Sequence, residues 1–129
     1  MTFEEAKLFF QKDLFATQAA GIVLTQLDET GSVCTMKLTD IHRNAAGAVM
    51  GGALFTLADF GFAAAANFSG MGTVTLSSQI QFLAGAKGTE LTAVTRPVKE
   101  GRHACFYETV ITDELGTKIA VVTATGYRK

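Results

Sequence analysis

Apolar residues along this chain recur first at helical spacing, then in alternation, then in an almost unbroken run, and finally in four more alternating stretches. Phe3, Ala6, Phe10 and Leu14 fall three to four residues apart, which predicts a short amphipathic helix over residues 2–15. Thr2 followed by Glu5 has the form of a capping box at its start. Residues 22–28 and 32–39 read as two strands joined across Asp28-Glu29-Thr30-Gly31, with Gly31 at the left-handed position such a hairpin needs. Residues 40–49 have loop character. The segment 51–67, GGALFTLADFGFAAAAN, holds four successive alanines and few β-branched residues, so it predicts a helix. Apart from Thr56, Asp59 and its end it is apolar or small on every side, and a helix without a polar face is expected to be buried.

The rest of the chain predicts strands at 73–83, 89–98, 102–112 and 117–127, rich in Val, Thr, Ile, Phe and Tyr. Turn-like segments separate them: Gly85–Gly88, Lys99-Glu100-Gly101 and Asp113-Glu114-Leu115-Gly116. The single proline, Pro97, falls near a strand end, where a missing N–H matters least. An order of helix, two strands, helix, four strands implies an α+β fold in which a curved antiparallel sheet wraps one central helix. The length of 129 residues suits a single domain over 1–129.

Composition sharpens this picture in two ways. Charged residues are only 18% of the chain, against roughly 25% in an average soluble protein, so surface is expected to be buried between subunits. A net charge of -1 with scattered Lys and Arg lacks the concentrated basic footprint that nucleic acid requires. The stretch Met50–Met71 has the length of a membrane span, but Asp59 at its centre makes insertion costly, so no membrane partner is expected. Cys34 and Cys105 form no CxxC pair, and with His42 and His103 they offer no metal-ligand spacing; no metal or cofactor is expected. Two reduced thiols and an acidic, amphipathic start point to the cytoplasm.

The candidate chemistry centres on Asp59. Between Arg43 and Lys87 it is the one side chain carrying a full charge at neutral pH. An unpaired carboxylate within an apolar helix costs several kcal/mol, so it needs a partner (Arg43, Lys87 or a backbone donor) or a function. Gly51-Gly52 is the second feature. A helix amino terminus presents free N–H groups and a positive dipole end, and glycine lets a substrate approach them. That arrangement suits a developing oxyanion. Asn44, in the preceding loop, offers either a side-chain N–H or an Asx turn. Arg96, Lys99 and Arg102 gather around one turn, where they would meet phosphates or simply face solvent. Cys34 has no basic neighbour to activate it, and His42 and His103 stand in no triad-like motif. Phe55, Phe60 and Phe62 are core or acyl-pocket candidates.

The run His42-Arg43-Asn44-Ala45-Ala46-Gly47-Ala48-Val49-Met50-Gly51-Gly52-Ala53-Leu54-Phe55-Thr56-Leu57-Ala58-Asp59 resembles the signature HxNxxGxxHGGxxxxLAD. That pattern marks the phenylacetate-pathway branch of the 4-hydroxybenzoyl-CoA thioesterase-like hot-dog superfamily. The likeness extends more loosely through Gln81-Phe82-Leu83 to the Asp-x-x-Gly turn before the last strand. It implies a hot-dog fold, hydrolysis of acyl- or aryl-CoA thioesters, and a site at a dimer interface. Asn44 and the Gly51 N–H would bind the thioester carbonyl, and Asp59 would act as nucleophile or general base. Thr75 would orient the water, with Ser77 the runner-up. Met50, Gly52, Arg96 and Arg102 are the expected substrate contacts. Met50 departs from the pattern, which has His there, so an imidazole donor is missing beside Gly51.

One expectation rests on geometry alone. Gly51 and Asp59 are eight residues apart, or about 12 Å along a helix axis, too far for one thioester carbon to meet both. If both act, they come from different copies around a two-fold axis: Gly51 and Asn44 from one, Asp59 and Thr75 from the other. The expected assembly is a homodimer, or a tetramer built from it. The rival readings are a non-catalytic acyl-CoA binding module or sensor, a hydratase, for which no histidine stands suitably beside Asp59, and a structural oligomerisation domain.

Overall fold

The computed structural model describes all 129 residues. Eight regular elements follow one another: α1 (Phe3–Phe10), β1 (Ile22–Asp28), β2 (Gly31–Lys37), α2 (Gly51–Ala66), β3 (Thr73–Phe82), β4 (Glu90–Glu100), β5 (Ala104–Asp113) and β6 (Lys118–Arg128). The strands form one antiparallel sheet in the order β1-β2-β4-β5-β6-β3, curved around α2. This is the hot-dog architecture that the sequence led us to expect.

α1 begins as its sequence demands: the Glu5 N–H donates to the Thr2 hydroxyl at 3.1 Å, and the Thr2 N–H donates to the Glu5 carboxylate at 2.9 Å. The helix is shorter than expected. It closes at Gln11, and a separate π-helical turn, Phe15–Ala19, follows, with the Ala20 N–H donating to the Phe15 carbonyl. Leu14, expected on the buried face, is instead 56% exposed. At the β1–β2 turn Gly31 has φ +130°, and a Cβ there would lie 1.8 Å from the Thr95 carbonyl oxygen. Only glycine fits, because β4 passes directly behind the turn.

Alternation decides which face of the sheet is covered. Leu91, Ala93 and Thr95 of β4, Tyr107, Thr109 and Ile111 of β5, and Ala120, Val122 and Ala124 of β6 are buried on the α2 side. Against them α2 packs Leu54, Leu57, Ala58, Phe60 and Ala64. The helix and sheet approach closely at Gly61, whose carbonyl accepts from the Ser32 hydroxyl at 2.7 Å and where a Cβ would crowd Thr95. Leu57 is fully buried, so Leu57→Ala would cost about 2–5 kcal/mol.

Two regions depart from this closure. No residue of β3 is fully buried, since it pairs only with β6 and leaves a ten-residue edge open with Val74, Leu76 and Phe82 exposed. Nor is α2 buried all round, as its composition implies: Gly52 and Asp59 are exposed, and Thr56 and Ala63 are half-buried. These four lie on one face of the helix. α2 is 16 residues long, and no helix is long and apolar enough to cross a membrane.

Candidate active site

The start of α2 is uncapped. Met50 holds an extended backbone and lends no side-chain hydrogen bond, and the Gly51 and Gly52 N–H groups find no acceptor within the chain. The first helical bonds run from Ala53 and Leu54 to the Met50 carbonyl. Two free amides therefore stand at the positive end of a 16-residue helix. Gly51 opens on a cavity of about 500 Å³ walled by Arg43, Val49, Leu54, Phe82 and Ile119. A Cβ on Gly51 would sit 2.8 Å from the far end of the exposed Phe82 ring, which would have to shift to admit one.

Asn44 holds the loop beside this cavity. Its Oδ1 accepts from the N–H groups of Ala46 and Ala48 at 3.0 and 3.1 Å. Those bonds fix the orientation of the amide and leave Nδ2 as a free donor at an exposed position. The Asx turn and the donor are thus two ends of one side chain. Asn44 does not line the cavity itself; Gly47 and Ala48 of its loop do.

Asp59 differs from expectation in its exposure and agrees with it in being unpaired. Its carboxylate is exposed on the open face of α2 and makes no hydrogen bond or ion pair. The Arg43 guanidinium donates instead to the Gly47 carbonyl at 3.1 Å, and the one ion pair of the chain joins Arg128 to Glu100. Asp59 lines a second cavity, of about 340 Å³, with Asp13, Phe15, Thr56, Phe60 and Ala63. Desolvation by these surroundings raises its pKa, and the negative charge of Asp13 raises it further. A third, largely apolar cavity of about 570 Å³ adjoins it through Phe15 and Thr56 and reaches Met50 and Gly52. The open face of α2 is therefore a trough running from Met50 to Asp59.

Gly51 and Asp59 line different cavities of the same chain, as their spacing on α2 requires. Thr75 and Ser77 lie on the edge strand β3 and line neither. A bulge at Leu76 separates the two: Thr75 pairs with Gly126, which faces α2, and Ser77 with Thr125 on the outer side. The β register thus puts Thr75, not Ser77, on the helix side of the sheet.

Arg96 and Arg102, set together around one turn by the sequence, occupy different elements. Arg96 stands in mid-strand opposite Glu108, beside Asp28 of the β1–β2 turn, whereas Arg102 is exposed in the β4–β5 turn. Neither reaches the cavities of Gly51 or Asp59. The cation that does is Arg43, considered from the sequence only as a partner for Asp59. Asp13 was missed altogether; on a helix over 2–15 it falls at the edge of the apolar stripe, seven residues after Ala6. His42 is buried and structural: its Nδ1 accepts from the Thr39 N–H, and its Nε2 donates to the Ala20 carbonyl at 2.7 Å. Cys34 is buried and its thiol is pushed up to about 12, which leaves it inert. Phe62 stacks edge-on against Tyr107 in the core, while Phe60 forms part of the wall beside Asp59.

Known proteins resemble this chain in sequence and in fold. Residues 46–124 match the model of the Thioesterase superfamily. The acyl-coenzyme A thioesterase PaaI of Escherichia coli (strain K12) is 31% identical over 126 residues, covering 97% of this chain and 89% of PaaI. The solved structure of the E. coli PaaI protein from the phenylacetic acid degradation operon matches with a TM-score of 0.86 at 26% identity, over 99% of this chain and 96% of that one. A hypothetical thioesterase from Streptococcus pneumoniae TIGR4, solved with coenzyme A, matches with a TM-score of 0.82 at 27% identity, over 93% and 96%.

Proposed function

The chain belongs to the Thioesterase superfamily, and on that premise we propose that it hydrolyses acyl-coenzyme A thioesters at a site completed by a second copy of itself. The likeness to PaaI and to a thioesterase solved with coenzyme A supports the substrate class. One observation carries the composite site. Two complementary half-sites, free amides at Gly51 and an unpaired carboxylate at Asp59, stand about 12 Å apart on one rigid helix and open on separate cavities.

In this reading the thioester carbonyl oxygen accepts from the Gly51 N–H and from Nδ2 of Asn44. As the carbon becomes tetrahedral, negative charge gathers on that oxygen, where the helix dipole and fixed donors stabilise it. Met50 contributes no donor, so the carbonyl relies on these two groups. Asp59 of the second copy either attacks the carbon, expelling the coenzyme A thiolate and leaving an anhydride that water cleaves, or takes a proton from the attacking water. Oxygen-18 incorporated into Asp59 in a single turnover distinguishes the first route from the second. The raised pKa of Asp59 suits both, because a stronger base is a better nucleophile and a better proton acceptor. Thr75, on the helix side of β3, is assigned to hold the water. The open edge of β3 and its exposed Val74, Leu76, Phe82 and Leu83 supply a surface for the second copy. A homodimer is thus the smallest active unit, and a tetramer is a pair of them. Two unpaired thiols support a cytoplasmic location.

The test mixes two inactive variants. Asp59→Asn removes the base, and Asn44→Asp keeps the acceptor for Ala46 and Ala48 while removing the donor. Co-expressed, they form mixed dimers in which one of two sites is intact, so about a quarter of wild-type turnover returns. No recovery means that both groups act from one chain. Tight binding of acyl-CoA by a wild-type protein that hydrolyses none of a panel of short, long and aromatic esters would identify a binding module instead.

A further inference from the structure

We infer that Asp13 is a positioning residue for this hydrolysis, acting through Asp59 by holding a second carboxylate against the same cavity. The inference rests on the thioesterase reading above and extends it to a residue outside the matched family region, which begins at residue 46.

Asp13 is held at both ends of its backbone. Its N–H donates to the Phe10 carbonyl at 3.0 Å, and its own carbonyl accepts from the Thr17 N–H and hydroxyl, each at 2.9 Å. The same hydroxyl reaches the Gln11 carbonyl at 3.1 Å, so the passage from α1 into the π-helical turn is clamped around this residue. An aspartate just ahead of a helical turn would ordinarily serve as its cap. This one does not: its carboxylate accepts no hydrogen bond, and the turn has no side-chain cap. A side chain with a fixed origin and no local partner is left lining the same cavity as Asp59.

The charges around that cavity explain the consequence. From the segment after α1 comes Asp13; from α2 come Asp59 itself and Thr56, whose hydroxyl is engaged with the Gly52 carbonyl at 2.8 Å. No Lys, Arg or His of the chain lines it. On the composite-site reading the second copy would present its α2 amino terminus to Asp59, and Arg43 is the one cation that lines the cavity at that terminus. Two carboxylates sharing a partly desolvated space disfavour each other's ionised form, and the one that reacts becomes the stronger base. Asp13 also opposes the pull that the partner's amides and Arg43 exert on Asp59 in the other direction. The raised pKa of Asp59, caused first by desolvation and then by Asp13, agrees with this.

The test is the pH profile of kcat/KM for an acyl-CoA ester, whose acid limb reports Asp59 in the free enzyme. In Asp13→Asn the limb moves to lower pH and the plateau falls by less than about tenfold. Asp13→Glu, which keeps the charge, retains the wild-type limb. Added salt lowers the wild-type limb by screening the pair and leaves that of Asp13→Asn in place. An acid limb unmoved in Asp13→Asn, whatever its turnover, overturns the inference and leaves the thioesterase reading intact. Full turnover in Asp59→Asn, measured alongside, would instead overturn that reading.

Discussion

Asp113 and Asp59 are both aspartates partly or wholly removed from water, and the chain treats them in opposite ways. Asp113 ends β5 with 4% of its surface exposed, and its two oxygens accept the N–H groups of Lys87, Gly88, Leu115 and Thr117 at 2.9–3.1 Å. Burial alone would raise its pKa, but the backbone donors outweigh that and hold it at about 2. Asp59 lies more open to solvent and accepts nothing. Desolvation by its cavity therefore acts unopposed and raises its pKa. Exposure does not decide which carboxylate is held ionised; the supply of donors does. The two are also connected. Asp113, with Glu114 accepting from the Thr89 and Glu90 amides, pins the crossover between β3 and β4, and the first part of that crossover, from Phe82 to Ala86, walls the Gly51 cavity.

The contrast can be broken by exchanging what each side chain lacks. Asp59→Asn keeps the shape and removes the base, so kcat/KM falls at least about a hundredfold, read by thiol release. Its Tm stays level or rises, because above its raised pKa the ionised carboxylate disfavours the fold. Wild-type turnover in this variant would place Asp59 with Asp113 among structural groups. Asp113→Ala reverses the pattern: Tm falls by several degrees as four backbone amides lose their shared acceptor, while kcat/KM drops less than tenfold. A smaller effect is the dependence of stability on pH. The folded pKa of Asp113 is depressed from its ordinary 3.8, so its contribution is complete above about pH 4 and lost as pH falls toward about 2. Urea unfolding across that window is steeper in pH for wild type than for Asp113→Ala, and equal slopes would contradict the assignment.

Much of this was legible beforehand. The bounds expected for β1 hold to the residue, and those of the other strands and of α2 hold to within two. The glycine-marked turns and the capping box at Thr2 are where the chain announced them. The helix expected over 2–15 was overextended because periodicity continues through Leu14, whereas the backbone is diverted by the Thr17 hydroxyl taking the Gln11 and Asp13 carbonyls. Arg96 and Arg102 looked adjacent because sequence distance ignores the extended strand between them, which adds about 3.3 Å per residue. Asp13 carried only a weak signal, a charge at the edge of the apolar stripe beside Ala6 and Phe10, where acidic side chains commonly border a solvated face.

By itself the amino-acid sequence determined that six strands and a long small-residue helix would form, that Asp59 would stand alone in an apolar segment, and that Gly51 and Asp59 would be about 12 Å apart. Local sterics and periodicity suffice for that, because each acts within a few residues. Only the tertiary structure decided that β3 crosses to the free edge, that Thr75 rather than Ser77 faces the helix, and that the strip Gly52–Thr56–Asp59–Ala63 is left uncovered. Composition records that a residue avoids water, never which body shields it. α2 reads as buried on every side, yet its own sheet covers only part of it.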